Sequence, residues 1–208
     1  MPPLTFAALL STTTLTPAQN VLPTGDNVRS GAASIGQASS GRLTITQSSP
    51  RAVIDWNSFS VRPVNSVTFN QTGVGSAVLN RVGGSAPSTI AGKLQETGQV
   101  FLVNPNEIAI TKSGTVNVGG GFVGSTLGIT TNDFNSGKFT FQCGGDSAAV
   151  SNAGVIRAAP GGFVGWLGGQ VTNAGAVVAS VGSIGLGAGE AATLDLAGDK
   201  FLQVVVQT

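Results

Sequence analysis

Carboxylates are the side chains that could do acid–base or metal chemistry in this 208-residue chain, which has nine of them. They are spread along the sequence, and none lies between Ser147 and Gly189. A glycosidase holds two carboxylates across one bond, and a calcium site gathers several oxygen ligands. An enzyme built on this chain would need a cleft rich in Asp, which the spacing does not predict. We therefore expect no catalytic residue, no metal and no cofactor.

Other reactive residue types are scarce. The chain has no His and a single Cys, Cys143, which excludes a Ser-His-Asp triad, a Cys-His pair and a disulfide within the chain. The run Gly119-Gly120-Gly121 is not followed by Gly-Lys-Ser/Thr, so it does not match a phosphate-binding loop. Ten Lys and Arg residues are scattered and give a net charge of +1, which predicts no nucleic-acid partner.

The composition indicates which elements position these side chains. Gly accounts for 31 of the 208 residues, good helix formers are few, and stretches such as Leu43–Thr46 and Val67–Asn70 alternate between apolar and polar residues. This mixture predicts an all-β protein with many short strands and tight turns. A membrane-spanning helix needs about 20 consecutive apolar residues. No stretch of the sequence reaches that length, so we expect no stable membrane insertion.

Internal repeats indicate the architecture. Val150–Ile156 recurs as Val171–Val177 at an offset of 21, and Gly162–Trp166 recurs as Gly182–Leu186 at an offset of 20. A period of about 20 residues with β-rich segments is typical of a parallel β-helix. A propeller or an up-and-down fold is the alternative, but propeller repeats are about twice this long.

Earlier copies extend the pattern. Ser113–Asn117 matches Ala153–Arg157 at an offset of 40, and Gly121–Gly124 matches Gly162–Gly165 at an offset of 41. These offsets are close to two coils, and they predict a hairpin or an extra coil inserted near residues 128–149.

Two other features follow from the repeats. The end of a β-helix exposes apolar columns and strand edges, so Leu22–Ile35 is predicted to be an N-terminal cap. Asn152 and Asn173 occupy equivalent positions in consecutive coils. We expect these two side chains to stack as a ladder at one turn.

The sequences at the two ends of the chain lead to predictions about a signal peptide and about a longer parent protein. Residues 1–18 contain the short apolar run Leu4–Leu10, but no Lys or Arg precedes Arg29. A truncated signal peptide and a flexible arm both fit this segment. Val204–Thr208 forms an apolar stretch with no capping segment after it. This predicts that residues 19–208 are one domain from the N-terminal part of a much longer protein.

Several motifs in fixed order resemble one family of proteins. They are the segments Ile54–Phe59, Val78–Gly84, Gly98–Asn106, Thr115–Gly120 and Ser151–Gly154. The series resembles the N-terminal secretion domain, or TPS domain, of two-partner secretion exoproteins, the filamentous haemagglutinin-like and haemolysin-like family. The resemblance runs from about Leu22 to the C-terminus.

The resemblance implies a right-handed β-helix and a role in export rather than catalysis. Such exoproteins are large adhesins or haemolysins of Gram-negative bacteria, and they reach the cell surface or the medium through the periplasm. The implied partner is an outer-membrane transporter whose periplasmic POTRA domains recognise this domain, which then nucleates folding outside the cell. Host surface receptors would be partners of the full-length protein. The alternative is an adhesive module that binds a host glycan or protein directly.

The resemblance and the residue types single out two short motifs as candidate sites. Asn104-Pro105-Asn106 either contacts the transporter or only shapes a turn, because Pro fixes φ and Asn side chains bond to nearby backbone. In Asn80-Arg81, the arginine either faces a partner or pairs with a neighbouring carboxylate.

Two positions depart from the family pattern. Glu107 follows the Asn-Pro-Asn motif where the family usually has Gly, and a side chain there would be strained if φ were positive. The stretch Gly83–Pro87 stands where some members carry a second Asn-Pro-Asn-Leu motif. That stretch therefore does not carry the second motif.

Overall fold

The structure, a computed structural model, describes residues 21–144, 147–196, 198 and 201–206. Residues 1–18, for which a signal remnant or an arm is predicted, lie outside these ranges. Residues 207 and 208, the last two of the predicted apolar stretch, also lie outside them. The described part is almost entirely β-structure, as the composition predicts.

Three sheets form the faces of a parallel β-helix of about seven turns with roughly 22 residues each. Sheet 1 contains, in spatial order, β1 (Asn27–Ser30), β4 (Arg51–Trp56), β6 (Ala77–Val82), β9 (Gln99–Val103), β12 (Gly121–Ser125), β16 (Phe163–Gly168) and β19 (Ser183–Ala188). Sheet 2 contains β17 (Gln170–Asn173), β14 (Ala149–Asn152), β10 (Ile108–Ile110) and β7 (Ser88–Ile90). Sheet 3 contains β18 (Ala176–Ala179), β15 (Val155–Ala158), β11 (Thr115–Val118), β8 (Lys93–Glu96), β5 (Ser66–Asn70), β3 (Arg42–Gln47) and β2 (Ala33–Ile35). The predicted β-helix is confirmed.

Strand pairing gives the length of a turn. Ala77 pairs with Gln99, and Gln99 pairs with Gly121, an offset of 22 in each case. The period predicted from the repeats is therefore slightly too short for this part of the chain. Thr115 pairs directly with Val155, which confirms the predicted offset of 40.

The repeats near the C-terminal end have the predicted register. Val150 pairs with Val171 at an offset of 21, and Phe163 pairs with Ser183 at an offset of 20. The coil therefore shortens toward this end of the stack.

The predicted alignment of Gly121–Gly124 with Gly162–Gly165 is wrong by one position. Gly121 pairs with Phe163 and Phe122 pairs with Val164, an offset of 42 rather than 41. Because alternate residues of a strand face opposite sides, a shift of one position exchanges the two faces. Phe122 packs in the interior of the β-helix, whereas Phe163 packs on the outside of sheet 1. The predicted alignment at an offset of 41 therefore equated Phe122 with Phe163, although the two side chains face opposite sides of the sheet.

Alternation of apolar and polar residues builds the interior. In β3, Leu43 and Ile45 are buried while Arg42 and Thr44 are exposed. Inward residues of successive turns form columns, one of which contains Val67, Leu94, Val116 and Ile156. Burial of each such side chain contributes about 1.5–3 kcal/mol before the entropy of ordering the chain is subtracted.

Sheet 1 is apolar on its outer face as well. Its outward side chains form a second core with the segments that cover them, and this core includes Val53, Leu79, Phe101, Val123, Phe134, Phe139, Phe141, Phe163 and Leu194. Nearly continuous apolar runs such as Val100–Val103 are the sequence signal of a strand that is buried on both faces.

The predicted cap covers the N-terminal end of the stack. β1 pairs antiparallel with β4, and β2 pairs antiparallel with β3. These two strands use the edges of the first coil in sheets 1 and 3, so a further coil cannot pair there.

The insertion near residues 128–149 contains a hairpin-like loop and no extra coil. Gly128 and Gln142 exchange two backbone hydrogen bonds of 2.8 Å. Between them lie α1 (Thr131–Asn135) and β13 (Phe139–Gln142). The extra-coil alternative fails because β11 pairs directly with β15. No helix among the described residues is long and apolar enough to cross a membrane.

The described residues after the last coil form a separate sheet and do not extend the stack. β13 pairs antiparallel with β20 (Ala191–Leu194), and β20 pairs with β21 (Leu202–Val205). These three strands form a side sheet that packs on the outer face of sheet 1. Within it, Leu202 and Val204 pack against the outer core of sheet 1, whereas Val205 is 61% exposed. The last coil of the stack is instead formed by β17, β18 and β19, which we call the open end.

Candidate partner-recognition surface

Asn104 is the buried centre of the Asn104-Pro105-Asn106 motif. It follows β9 at the corner between sheets 1 and 2 and is fully buried. Its Nδ2 donates to the carbonyl oxygen of Ala86 at 3.0 Å and to Oγ of Ser88 at 2.9 Å. Its Oδ1 accepts from the backbone N–H of Asn106 at 3.0 Å, which is an Asx-turn. One side chain therefore fastens the corners of two successive turns.

The rest of the motif lies at the surface. Pro105 and Asn106 are exposed, and Asn106 Nδ2 donates to the carbonyl oxygen of Gly84 at 2.8 Å. Residues 85–87 in the preceding turn are also exposed. We call residues 84–87 and 105–106 the corner surface. The departure at Gly83–Pro87 thus lies directly beside the Asn-Pro-Asn motif in space.

Glu107 takes part in this corner without backbone strain. The non-glycine residues with positive φ in the described part are Ser40 and Val181, so Glu107 is not in the left-handed region. Its carbonyl oxygen accepts from the N–H of Ser88 at 2.9 Å. A side chain at this position is therefore compatible with the turn.

Asn80 points into the β-helix rather than toward a partner. Its side chain is fully buried, and its Oδ1 accepts from Nε1 of Trp56 at 2.9 Å. Its Nδ2 donates to the carbonyl oxygen of Phe101 at 3.3 Å. The amide links three consecutive strands of sheet 1, namely β4, β6 and β9.

Arg81 points outward and is held by the chain itself. Its Nε and Nη2 both lie 2.8 Å from Oδ1 of Asp55, while Asp55 Oδ2 lies 2.8 Å from Nε of Arg29. The remaining amino group of Arg81, Nη1, donates to Oγ1 of Thr131 at 3.1 Å. Arg81 therefore connects sheet 1 to α1 in the insertion.

Asn152 and Asn173 lie at the corner between sheets 2 and 3. Asn152 Nδ2 donates to Asn173 Oδ1 at 2.8 Å, and Asn152 Oδ1 accepts from the N–H of Gly154 at 3.0 Å. Asn152 is buried, whereas Asn173 is exposed because no described coil covers it.

The structure does not gather all these residues into one site. The Asn-Pro-Asn motif meets the preceding corner, Asn80 is internal, Arg81 faces the side sheet, and the Asn152–Asn173 pair lies at a different corner. Of the candidates, Pro105, Asn106 and Asn173 are exposed, so a partner could reach them without rearrangement.

The sequence analysis missed the surface of the open end. Ile184 and Leu186 are each 46% exposed, although they pair with the buried Val164 and Trp166 of the preceding turn. Their register in the repeat is the signal that could have identified them. They occupy inward positions on the last described coil, and no further described coil covers those positions.

The described carboxylates do not form a cluster of metal ligands. Among the described residues, no three His, Cys, Asp or Glu side chains are close enough to hold a metal. Burial raises the pKa of the Glu96 carboxyl from 4.5 to about 9. This residue points inward from sheet 3, between Phe69 and Val118 in register.

A family model described as a TPS secretion domain matches residues 19–204 of the chain. Two curated proteins of Haemophilus influenzae, both named heme/hemopexin-binding protein, are similar to parts of it. One, from strain Rd, is 40% identical over 101 residues, and the other is 35% identical over 111 residues. These segments cover 49% and 53% of this chain but only 11% and 12% of those proteins.

Two solved structures have a similar fold. The HMW1 secretion domain from Haemophilus influenzae superposes with a TM-score of 0.79 and 33% identity, over 89% of this chain and 49% of that one. The filamentous hemagglutinin secretion domain superposes with a TM-score of 0.62 over 90% of this chain and 69% of that one. Its identity is 17%, so this second likeness concerns the fold alone.

Proposed function

The chain belongs to the TPS secretion domain family, and we propose that it is the domain by which a much longer exoprotein is recognised for export. In this proposal an outer-membrane two-partner secretion transporter binds the domain through its periplasmic POTRA domains. The exoprotein crosses the periplasm of a Gram-negative bacterium and is released or displayed at the surface. The family is one of secretion domains of exoproteins, not of enzymes.

The observation that carries the proposal is the difference between the two ends of the stack. Antiparallel β1 and β2 cover the N-terminal end, whereas β17, β18 and β19 have no strand on their far side in the described part. Each uncovered strand offers backbone groups for pairing, and Ile184 and Leu186 offer apolar contact. A chain that emerges after this domain could add coils in one direction only, which supports folding nucleation.

The corner surface supports the recognition step. Its exposed residues are positioned by the buried Asn104, which fixes their geometry through contacts with Ala86 and Ser88. Pro105 adds rigidity, because its ring restricts φ and lowers the entropy that a contact would cost. A rigid and exposed corner is a suitable contact for the transporter.

The test compares two double variants with the same residue types. In Pro105→Ala/Asn106→Ala the corner surface changes, whereas in Pro63→Ala/Asn70→Ala two exposed residues near sheet 3 change. Export is measured from cells that carry the exoprotein and its transporter, and binding is measured with purified POTRA domains. We expect the first variant to lose most export and binding, and the second to keep both.

A third variant separates recognition from folding. Asn104→Ala removes buried hydrogen bonds without altering an exposed side chain, so it should lower the free energy of unfolding more than Pro105→Ala/Asn106→Ala does. Recognition by the corner surface requires that the latter variant fold normally and still fail to bind. Normal export of Pro105→Ala/Asn106→Ala would refute this part of the proposal.

A further inference from the structure

The outer face of sheet 3 carries positive charge only. Arg42 on β3, Lys93 on β8 and Arg157 on β15 are exposed and project outward, opposite to the buried residues of the same strands. None of the three side chains forms a hydrogen bond or ion pair with another described residue. The fold therefore concentrates on one face cations that are scattered in the sequence.

No carboxylate on sheet 3 neutralises this face. The sheet's one carboxylate, Glu96, points inward, and burial raises its pKa to about 9, so it is uncharged at neutral pH. By contrast, Arg29 and Arg81 on sheet 1 share the carboxylate of Asp55. The charge on Arg42 and Lys93 remains available to an external anion.

These two cations border a groove with a volume of about 370 Å³. Arg42 and Lys93 occupy the same register row, with Ser66 between them. Their strands are about 10 Å apart, given the usual spacing of neighbouring strands. The groove is lined mainly by polar side chains, and its lining also includes Thr44, Thr68, Asn70, Gln95, Pro63 and Val64.

We propose that this groove binds a glycan that carries sulfate or carboxylate groups. Arg42 and Lys93 would pair with two acidic groups, because charge-assisted hydrogen bonds are the strong ones. Thr44, Thr68 and Gln95 offer donors and acceptors to sugar hydroxyls. Exposed Val64, with 87% of its surface accessible, offers contact for the apolar face of a ring.

Other anionic partners fit the face less well. Single-stranded nucleic acid binds through aromatic side chains that stack on bases, and the aromatic residue of β5, Phe69, is buried inside. A lipid surface needs apolar side chains that enter the bilayer, and Val64 is the large exposed apolar residue of the groove. The rows of hydroxyls and amides between the cations favour a sugar.

The test measures binding of the 208-residue chain to a sulfated heparin oligosaccharide and to its desulfated counterpart. We expect the sulfated sugar to bind more tightly than the desulfated one, which keeps only its carboxylates, and the affinity for both should fall as salt rises. Arg42→Gln/Lys93→Gln should weaken binding by about 100-fold or more, since each lost charge-assisted bond is worth roughly tenfold or more. Both side chains are exposed, so the free energy of unfolding should stay nearly unchanged.

The matched control is Lys112→Gln/Lys138→Gln, which removes the same charge from exposed lysines outside the groove. It should weaken binding only slightly. Equal losses in both double variants would mean long-range attraction without a site and would overturn the proposal. Binding to anionic phospholipid vesicles but not to the sulfated sugar would overturn it as well. The inference does not rest on the export function, because Arg42→Gln/Lys93→Gln leaves the corner surface intact and should be exported normally.

Discussion

Trp56 Nε1 donates a hydrogen bond to Oδ1 of Asn80 at 2.9 Å inside the β-helix, where both side chains are buried. The same amide donates to the carbonyl oxygen of Phe101, so one polar side chain connects three coils. A buried donor that loses its partner costs about 1–3 kcal/mol. We therefore expect Asn80→Ala to lower the free energy of unfolding by about 2–4 kcal/mol, measured by urea denaturation.

The matched control for this substitution is Asn117→Ala on the outer face of sheet 3. Asn117 is half-buried, and its side chain has no hydrogen bond to another described residue. We expect a change of less than about 0.5 kcal/mol there. Similar effects at the two positions would show that the internal amide does not hold the coils together.

Gly124 leaves space for a large interior side chain of the next coil. Gly124 pairs with Trp166, and a Cβ atom on Gly124 would overlap the indole ring. Gly124→Ala should therefore displace Trp166 and lower the free energy of unfolding by about 1–3 kcal/mol. Tryptophan fluorescence and urea denaturation measure the two effects.

Gly73→Ala provides the comparison for that experiment. Gly73 has no atom within 4 Å of the position of a new Cβ, and its φ is not positive. We expect this variant to be as stable as the parent chain within about 0.5 kcal/mol. If Gly124→Ala were equally harmless, the conclusion that the Trp166 indole packs directly against Gly124 would be contradicted.

The strand that contains Gly121 shows how far sequence alone could predict this fold. The period, the all-β class and the N-terminal cap follow from repeats and turn residues, because each coil has to repeat the inward pattern of its neighbour. The register at Gly121 does not follow, since similarity matches Phe122 to Phe163 although these residues face opposite sides. Only the packing of Phe163 against Gly121 decides between the two alignments.

The candidate site could be predicted only in part, because its contacts depend on which turns become neighbours in the coil. A turn at Asn104-Pro105-Asn106 follows from residue types, but its contact with residues 84–88 depends on which corners become neighbours after coiling. The side sheet was missed because two full coils of the stack separate β13 from β20 and β21 in the sequence. Long-range antiparallel pairing of this kind leaves no local periodic signal.

Arg81 and Arg29 share the carboxylate of Asp55, but we expect the two ion pairs to contribute unequally to the free energy of unfolding. The side chain of Arg81 is 28% exposed and that of Arg29 is 55% exposed. Exposed ion pairs are weakened by solvent and salt, and their coupling is usually below about 1 kcal/mol. A double-mutant cycle with Asp55→Asn and Arg81→Gln should give a coupling of about 1 kcal/mol.

The parallel cycle with Arg29→Gln is the internal comparison. Its coupling should be smaller and should vanish at high salt, since the Arg29 side chain is more accessible to solvent. A larger coupling for Arg29 than for Arg81 would contradict the view that Arg81 anchors the insertion to sheet 1.

Glu96 should make the stability of the domain depend on pH. Burial raises the pKa of its carboxyl from 4.5 to about 9, so the folded state keeps a proton that the unfolded state releases above pH 4.5. The favourable contribution is complete below pH 4.5 and is lost as pH rises toward 9, by up to about 1.4 kcal/mol per pH unit. Urea denaturation between pH 5 and 8 should show this slope in the parent chain and lose it in Glu96→Gln, which is uncharged at every pH. Glu190→Gln, at an exposed position, should keep the parent slope; a slope that survived in Glu96→Gln would mean that another group causes it.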